Sequence, residues 1–440
     1  MKPTLIISVC IIIGILSACA EREERLPGER LDLRTPLSGE GQAIASDPVN
    51  FTRPIALPAP VNHANWTHRN GNASHRIQHA ALDRDLTQVW SSSIGQGERR
   101  GHRITADPIV AGGRIFTLDA ESGVAAHSLN GNRLWDRDLV PAADREGEAS
   151  GGGIAYQAGR IFVTTGFGRL TALDAETGRT VWEQRLDAPA TGAPTVFDGL
   201  VYVVTEDSVG WAVDAQTGRV RWQLPGTPSP SNVFGGAAPA VNNDIAIFAF
   251  SSGELLAAFR KGGIRRWSGT VSGQRRGRVY TTVSDITGDP VIDGDVVYVG
   301  NQSGRIVAIS VNNGERLWTA TEGAYSPVWP TGDSVFAVTD QGELVRLDAE
   351  SGNRIWGVSL PYYTRERARR RKGVFAHYGP VLAGGRLIVA SNDGLIRSFN
   401  PENGVLVSEV QIQGGATTNP VVANGTLYVV STRGQLHAFR

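Results

Sequence analysis

Cysteine is almost missing from this 440-residue chain: Cys10 and Cys19 are its two copies. Cys10 lies in a stretch that reads as removed on export, so the mature chain keeps one sulfur and cannot close a disulfide on itself. Long apolar runs are missing too. The best of them, Leu5 to Leu16 behind Lys2, is too short to span a bilayer comfortably and has the form of a signal peptide. Neither sign of charge dominates, with 43 basic against 43 acidic residues, so no global field points to nucleic acid. Catalytic signatures are sparse. No Gly-x-Ser-x-Gly elbow is present, and no helical pattern follows Gly151-Gly-Gly153 to make it a phosphate loop. His75 and His79 have metal-ligand spacing, but the adjoining Asn70-Gly-Asn-Ala-Ser74 is loop-like and places them at the surface.

What the chain does have is glycine, 53 residues of it, and a repeat. Trp135, Trp182, Trp222, Trp267, Trp318 and Trp356 each follow a glycine by four residues, at separations of 47, 40, 45, 51 and 38. A period near 45 marks a repeated antiparallel blade. The clearest copy runs Gly168-Arg-Leu-Thr-Ala-Leu-Asp174-Ala-Glu-Thr-Gly178-Arg-Thr-Val-Trp182. Before it, Arg160 to Thr165 is rich in β-branched and aromatic residues, as strands are. The Asp opens a turn by accepting backbone N–H groups, and the Gly takes a positive φ without a Cβ clash. An earlier strand opens near Pro108, Pro194, Pro239, Pro290, Pro327, Pro380 and Pro420, where a missing N–H is tolerated.

Seven copies follow residue 100, the seventh with Ser408 in place of Trp, and an eighth starts at Asn419-Pro420 and stops at Arg440. Its last strand is absent, and Leu86-Thr-Gln-Val-Trp90 at the front of the chain has the right character to supply it. The predicted fold is an all-β, eight-bladed β-propeller of four-stranded antiparallel blades over residues 62–440, closed by that N-terminal strand. Trp90 and the six tryptophans above are expected to fill the gaps between blades, with a partner for each indole N–H. Replacing Trp182 by Ala should then cost roughly 3–5 kcal/mol.

Leu16-Ser17-Ala18-Cys19 matches a bacterial lipobox, which makes residues 1–19 a lipoprotein signal peptide and Cys19 the lipidated residue. Several acyl chains at about 0.8 kcal/mol per buried methylene would anchor the protein stably, and Ala20 after the cysteine favours the outer membrane. Residues 20–61 are charged and weakly hydrophobic and are predicted to form a flexible tether.

With lipobox, tether and Trp-marked blades together, the mature chain resembles the BamB family, lipoproteins of the outer-membrane β-barrel assembly machinery. The repeat also resembles the wider pyrroloquinoline-quinone-like propellers. Val283-Ser-Asp285-Ile-Thr287-Gly-Asp289-Pro290 is similar to the family's Ser-Asp-Val-Asp-Thr-Thr-Pro stretch, with Asp285 kept and Thr287 in place of the second acid. Ser231-Asn-Val-Phe-Gly235 stands where the family has an interaction loop, without its Leu-x-Leu-Arg signature, so Val233 and Phe234 are the substitutes there. The resemblance implies a non-enzymatic scaffold without cofactor or metal. It would bind periplasmic domains of the central assembly protein, BamA, with nascent outer-membrane proteins as further partners.

Two basic runs accompany these segments: Arg275, Arg276 and Arg278 lead into Asp285, and Arg365, Arg367, Arg369, Arg370, Arg371 and Lys372 crowd one loop. Both loops precede a blade's proline, so both are expected on the face that carries Asp285, for an acidic partner or anionic headgroups. The alternative from another class is a periplasmic pyrroloquinoline-quinone-dependent dehydrogenase with a Ca²⁺ held by acidic and amide oxygens. Such enzymes commonly carry an adjacent-cysteine disulfide that this chain cannot make. A cell-envelope sensor is the third class.

Overall fold

The computed structural model describes residues 50–230, 233, 235–271, 283, 285–365 and 367–440, and among them the strands form eight four-stranded antiparallel sheets. Blades 1 to 7 span 109–138, 152–185, 195–225, 240–270, 291–320, 329–359 and 377–411, each made of four consecutive strands. Blade 8 takes three strands from 421–439 and its fourth, Gln88–Ser93, from the front of the chain. Pairing runs from Gln88↔Phe439 to Ser93↔Gln435, and Thr87 and Arg440 add two backbone bonds of 2.6 and 2.9 Å. The ring is an eight-bladed propeller sealed by its N-terminal strand. First strands such as Ile109–Ala111 are wholly buried and fourth strands such as Thr180–Arg185 largely exposed, so the former line the axis and the latter form the rim.

The repeated motif is one device that works in two blades. Within a blade, the Asp174 carboxylate accepts from the Thr177 backbone N–H at 2.8 Å and its hydroxyl at 2.6 Å, and Asp214 and Asp348 hold Thr217 and Ser351 likewise. Gly178 closes that turn at φ 68°. A Cβ on it would also come within 2.6 Å of the Trp135 ring from the preceding blade, so glycine is required for the turn and for the joint. Trp182, Trp222, Trp267, Trp318 and Trp356 lie in the same way over Gly218, Gly263, Gly314, Gly352 and Gly404. Each of these indoles, and that of Trp135, donates to a carbonyl of the next blade's turn, at 2.7 to 3.2 Å. Trp90 lies over Gly131 and joins blade 8 to blade 1. The joint between blades 7 and 8 has Ser408 instead. Blade 8 draws its third and fourth strands from opposite chain ends, so it has no turn glycine for an indole to cover.

Three expectations need correction. Pro380 does not open its strand: it sits within His377–Ala383, at a shift in register between Tyr378 and Val381, where the ladder does not need its N–H. The expected tether boundary at 61/62 is twelve residues late. Residue 50 already meets blade 6, its side chain bonding both the N–H and the carbonyl of Gly357 at 2.9 Å. Arg53 pairs with Asp333 and Asp348. Above all, the buried Arg346 guanidinium reaches the carbonyls of Arg53 and Pro54, at 2.5 and 3.3 Å.

The third correction concerns His75 and His79, which are buried rather than superficial. Residues 61–82 run across one end of the ring's axis. Trp66 exchanges backbone bonds with Val110 in blade 1 and stacks on Trp329 in blade 6. Thr67, Ala73 and Ser74 accept from Tyr156, Val241 and Ile292 in blades 2, 4 and 5, and His63 from Asn424 in blade 8. His68 bonds Val196 of blade 3, and Ala80 bonds Leu382 of blade 7. One segment therefore touches all eight blades. His75 Nδ1 meets the Pro290 carbonyl at 2.8 Å and His79 Nδ1 that of Pro58 at 2.8 Å. Burial pushes His75 down to about 4 and His68 to about 3, which suits neutral rings bonded to carbonyls.

Candidate functional site

Antiparallel blades put all interblade loops on one face, where inner strands begin, and the hairpin turns joining the first to the second strand on the other. The 61–82 segment closes the turn face. On the loop face the described residues leave a cavity of about 230 Å³ on the axis. Arg69 lines it with Asp107, Val233, Thr287, Tyr325 and Tyr378, among others.

The floor of this cavity is a charge-balanced cluster. Arg69 Nε lies 3.1 Å from Asp289 and 3.5 Å from Asp107. Asp289 also accepts from the Ala238 N–H at 2.8 Å. Asp107 accepts from both the backbone and the side-chain amide of Asn419, each at 2.8 Å. Burial pushes both carboxyls up, against the pull of Arg69. Burial works against the Arg69 charge, and the two aspartates outweigh it and hold the guanidinium above its ordinary value. Asp107, Asp289 and Asn419 each stand just before a strand-opening proline, so the turn into the inner strand aims their side chains at the axis. Sequence reasoning missed this cluster. Its signal was a polar residue before Pro108, Pro290 and Pro420, where Pro194 and Pro239 have alanine.

The interaction-loop candidates meet at the rim of the same cavity. The Val233 N–H donates to the Asp285 carboxylate at 2.6 Å, which ties two loops 52 residues apart in sequence. Asp285 is 5 % exposed and Thr287 7 %, so both side chains are buried against the protein. Asp285 pins the Val233 loop, and the Thr287 hydroxyl donates to the Ala324 carbonyl at 3.0 Å. Burial pushes the Asp285 carboxyl up to about 6, opposed by its bonds to the Val233 and Ile286 N–H groups. Phe234, Arg275, Arg276, Arg278 and Cys19 lie outside the described residues.

The arginine-rich loop between blades 6 and 7 is a short ribbon on this face. Tyr363 bridges to Val374. Thr364 N–H donates to Gly373 at 3.1 Å and Phe375 N–H to Tyr362 at 2.8 Å. A 3-10 turn, Ala368–Arg370, forms its tip.

Curated relatives include the outer membrane protein assembly factors BamB of Yersinia pestis, 24% identical over 361 residues, 80% of this chain and 88% of the relative, and of Burkholderia pseudomallei, 24% over 364 residues, 81% and 88%. Among solved structures, BamB from Moraxella catarrhalis matches with a TM-score of 0.65 at 21% identity, over 81% of this chain and 98% of that one. A europium-containing methanol dehydrogenase matches at 0.64 and 14% identity, over 86% and 98%. Both structural likenesses establish the propeller.

A dehydrogenase-type quinone and cation need uncommitted carboxylate and amide oxygens. Here Asp107 and Asp289 are engaged by Arg69, and the Asn419 side chain by Asp107 and the Gly379 N–H. No three His, Cys, Asp or Glu side chains among the described residues converge to hold a metal. The residues present do not fit that group. The sequence matches the family model for outer membrane protein assembly factor BamB over residues 120–358 and 364–440. With most of its length so matched and its eight blades closed as described, the chain belongs to the BamB family of outer-membrane protein assembly factors.

Proposed function

We propose that this protein is a non-catalytic scaffold of the β-barrel assembly machinery, anchored in the outer membrane through lipid on Cys19 with its propeller in the periplasm. Its loop face docks on periplasmic domains of the central assembly protein, BamA, and so supports insertion of outer-membrane β-barrels. One observation supports the choice of face: Val233 lines the axial cavity, and its N–H is held by the Asp285 carboxylate at 2.6 Å. That bond holds the Val233 backbone in place, which lowers the ordering cost of a contact made there. The turn face, by contrast, is filled by the chain's own 61–82 segment.

The test is co-purification from detergent-solubilised envelope. Native protein should bring down the central assembly protein, and Val233→Glu, which puts a charge on the rim without emptying the core, should lower the yield. Recovery without the assembly protein would remove the scaffold reading. An unchanged yield from Val233→Glu would move the docking site off this rim.

A further inference from the structure

We propose that the ribbon between blades 6 and 7 is an electrostatic docking arm for an acidic protein surface. The inference rests on the loop-face reading above and names the chemistry of the partner there. Residues 365–372 hold five arginines and one lysine against the single acid Glu366. Every basic residue of the run is exposed. Arg365, Arg367, Arg369, Arg370 and Lys372 make no ion pair among the described residues.

The charges sit on a hydrogen-bonded stem. The Tyr363–Val374 bridge and the bond from Thr364 to Gly373 hold the stem. The Arg371 guanidinium lies 4.6 Å over the Tyr363 ring, which in turn meets Tyr362 edge-on at 4.9 Å. Crowding like charges in one short loop is unfavourable in the free protein, and a surface of opposite sign relieves it. Arginine's planar fork suits paired contacts to carboxylates.

Two observations favour a protein surface over a membrane. The tip has no apolar residue larger than Ala368, so nothing is available to wedge among acyl chains; the exposed Tyr363 and Val374 are at the stem. The ribbon also runs straight into Tyr378, which lines the axial cavity. One rigid partner seated over that mouth therefore reaches the arm.

The experiment replaces Arg365, Arg367, Arg369 and Arg370 by Gln and keeps Arg371 to preserve the stem. Full-length protein and variant are compared by biolayer interferometry on the soluble periplasmic domains of the assembly protein, at low and high salt, and on vesicles of phosphatidylethanolamine with phosphatidylglycerol. The native on-rate should exceed the variant's by about tenfold or more at low salt and fall towards it at high salt, with off-rates alike. Equal on-rates for the two proteins would overturn the arm while leaving the scaffold reading intact. Loss of vesicle binding alone would reassign it to anionic headgroups and overturn it too. Failure of the native protein to bind the domains at all would sink the scaffold reading and this proposal together.

Discussion

Truncating the joint tryptophans should produce a graded series, because the same contact is buried to different depths around the ring. Trp356 is 0 % exposed. Its ring lies 5.9 Å from Phe336 at 44°, and Val358 and the Gly404 turn pack beside it. Removing such a side chain costs roughly 3–5 kcal/mol through lost transfer and cavity. Trp182 has the same neighbours in kind, Phe162 at 5.9 Å and Gly218, but it is only partly buried. Its truncation should cost about 2–3 kcal/mol, below the sequence-based expectation. The carbonyls that lose an indole donor are not orphaned. Ala215 keeps Arg160, at 3.0 Å, and Pro401 keeps Arg346, at 3.4 Å. Packing therefore carries the loss, and Trp182→Phe should cost about 1 kcal/mol or less. Guanidinium unfolding and calorimetry on native protein, Trp182→Ala, Trp182→Phe and Trp356→Ala would measure this. A Trp356→Ala loss no larger than that of Trp182→Ala, or a Phe variant as weak as Ala, would refute the reasoning.

Other outcomes can be checked directly. Ser408→Trp should not raise the melting temperature, since blade 8 offers no turn glycine for it; a gain of several degrees would mean the joint has room of another kind. Arg346→Met should free residues 50–56, seen as faster amide hydrogen exchange at Phe51 and Arg53, whose N–H groups bond Ile355 and Glu402, together with a loss of about 2–4 kcal/mol from carbonyls left unpaired; exchange at both amides equal to native would refute the clamp. Asp285 titrates near 3.8 unfolded and about 6 folded, so the folded state holds the extra proton in between, and its contribution falls as pH rises from about 4 to 6 and is level above. Asp285→Asn should gain on native by up to about 3 kcal/mol between pH 4.5 and 7, and a pH-independent difference in unfolding free energy would exclude the buried acid as its source.

The match between sequence and structure is uneven for identifiable reasons. Strand patterning and turn chemistry are local, so the Asp-x-x-Thr-Gly-x-x-x-Trp copies and the blade count were legible; the displaced fourth strand, which pairs across the whole chain, was legible only by counting strands against the repeat. The glycine's second task was not, because the indole that excludes a Cβ comes from the blade before. Arg346 stands where other copies have Ala172, Ala212 and Ala308, a break in pattern that marks a cation inside a blade without saying what it binds. The histidines were misplaced because a loop-like composition near residue 70 describes local polarity, and cannot tell that seven blades supply the segment's hydrogen-bond partners.

By itself, the sequence determined that the chain is a closed ring of eight blades, since a repeat near 45 residues with one strand missing at the end and one spare at the front admits that closure. The tertiary structure alone decided which face is open. The axis is sealed at one end by residues 61–82 and floored by Arg69, Asp107 and Asp289, groups brought together from up to about 220 positions apart. Contacts at such separation depend on the summed geometry of all the blades, and no short-range pattern in the chain encodes them.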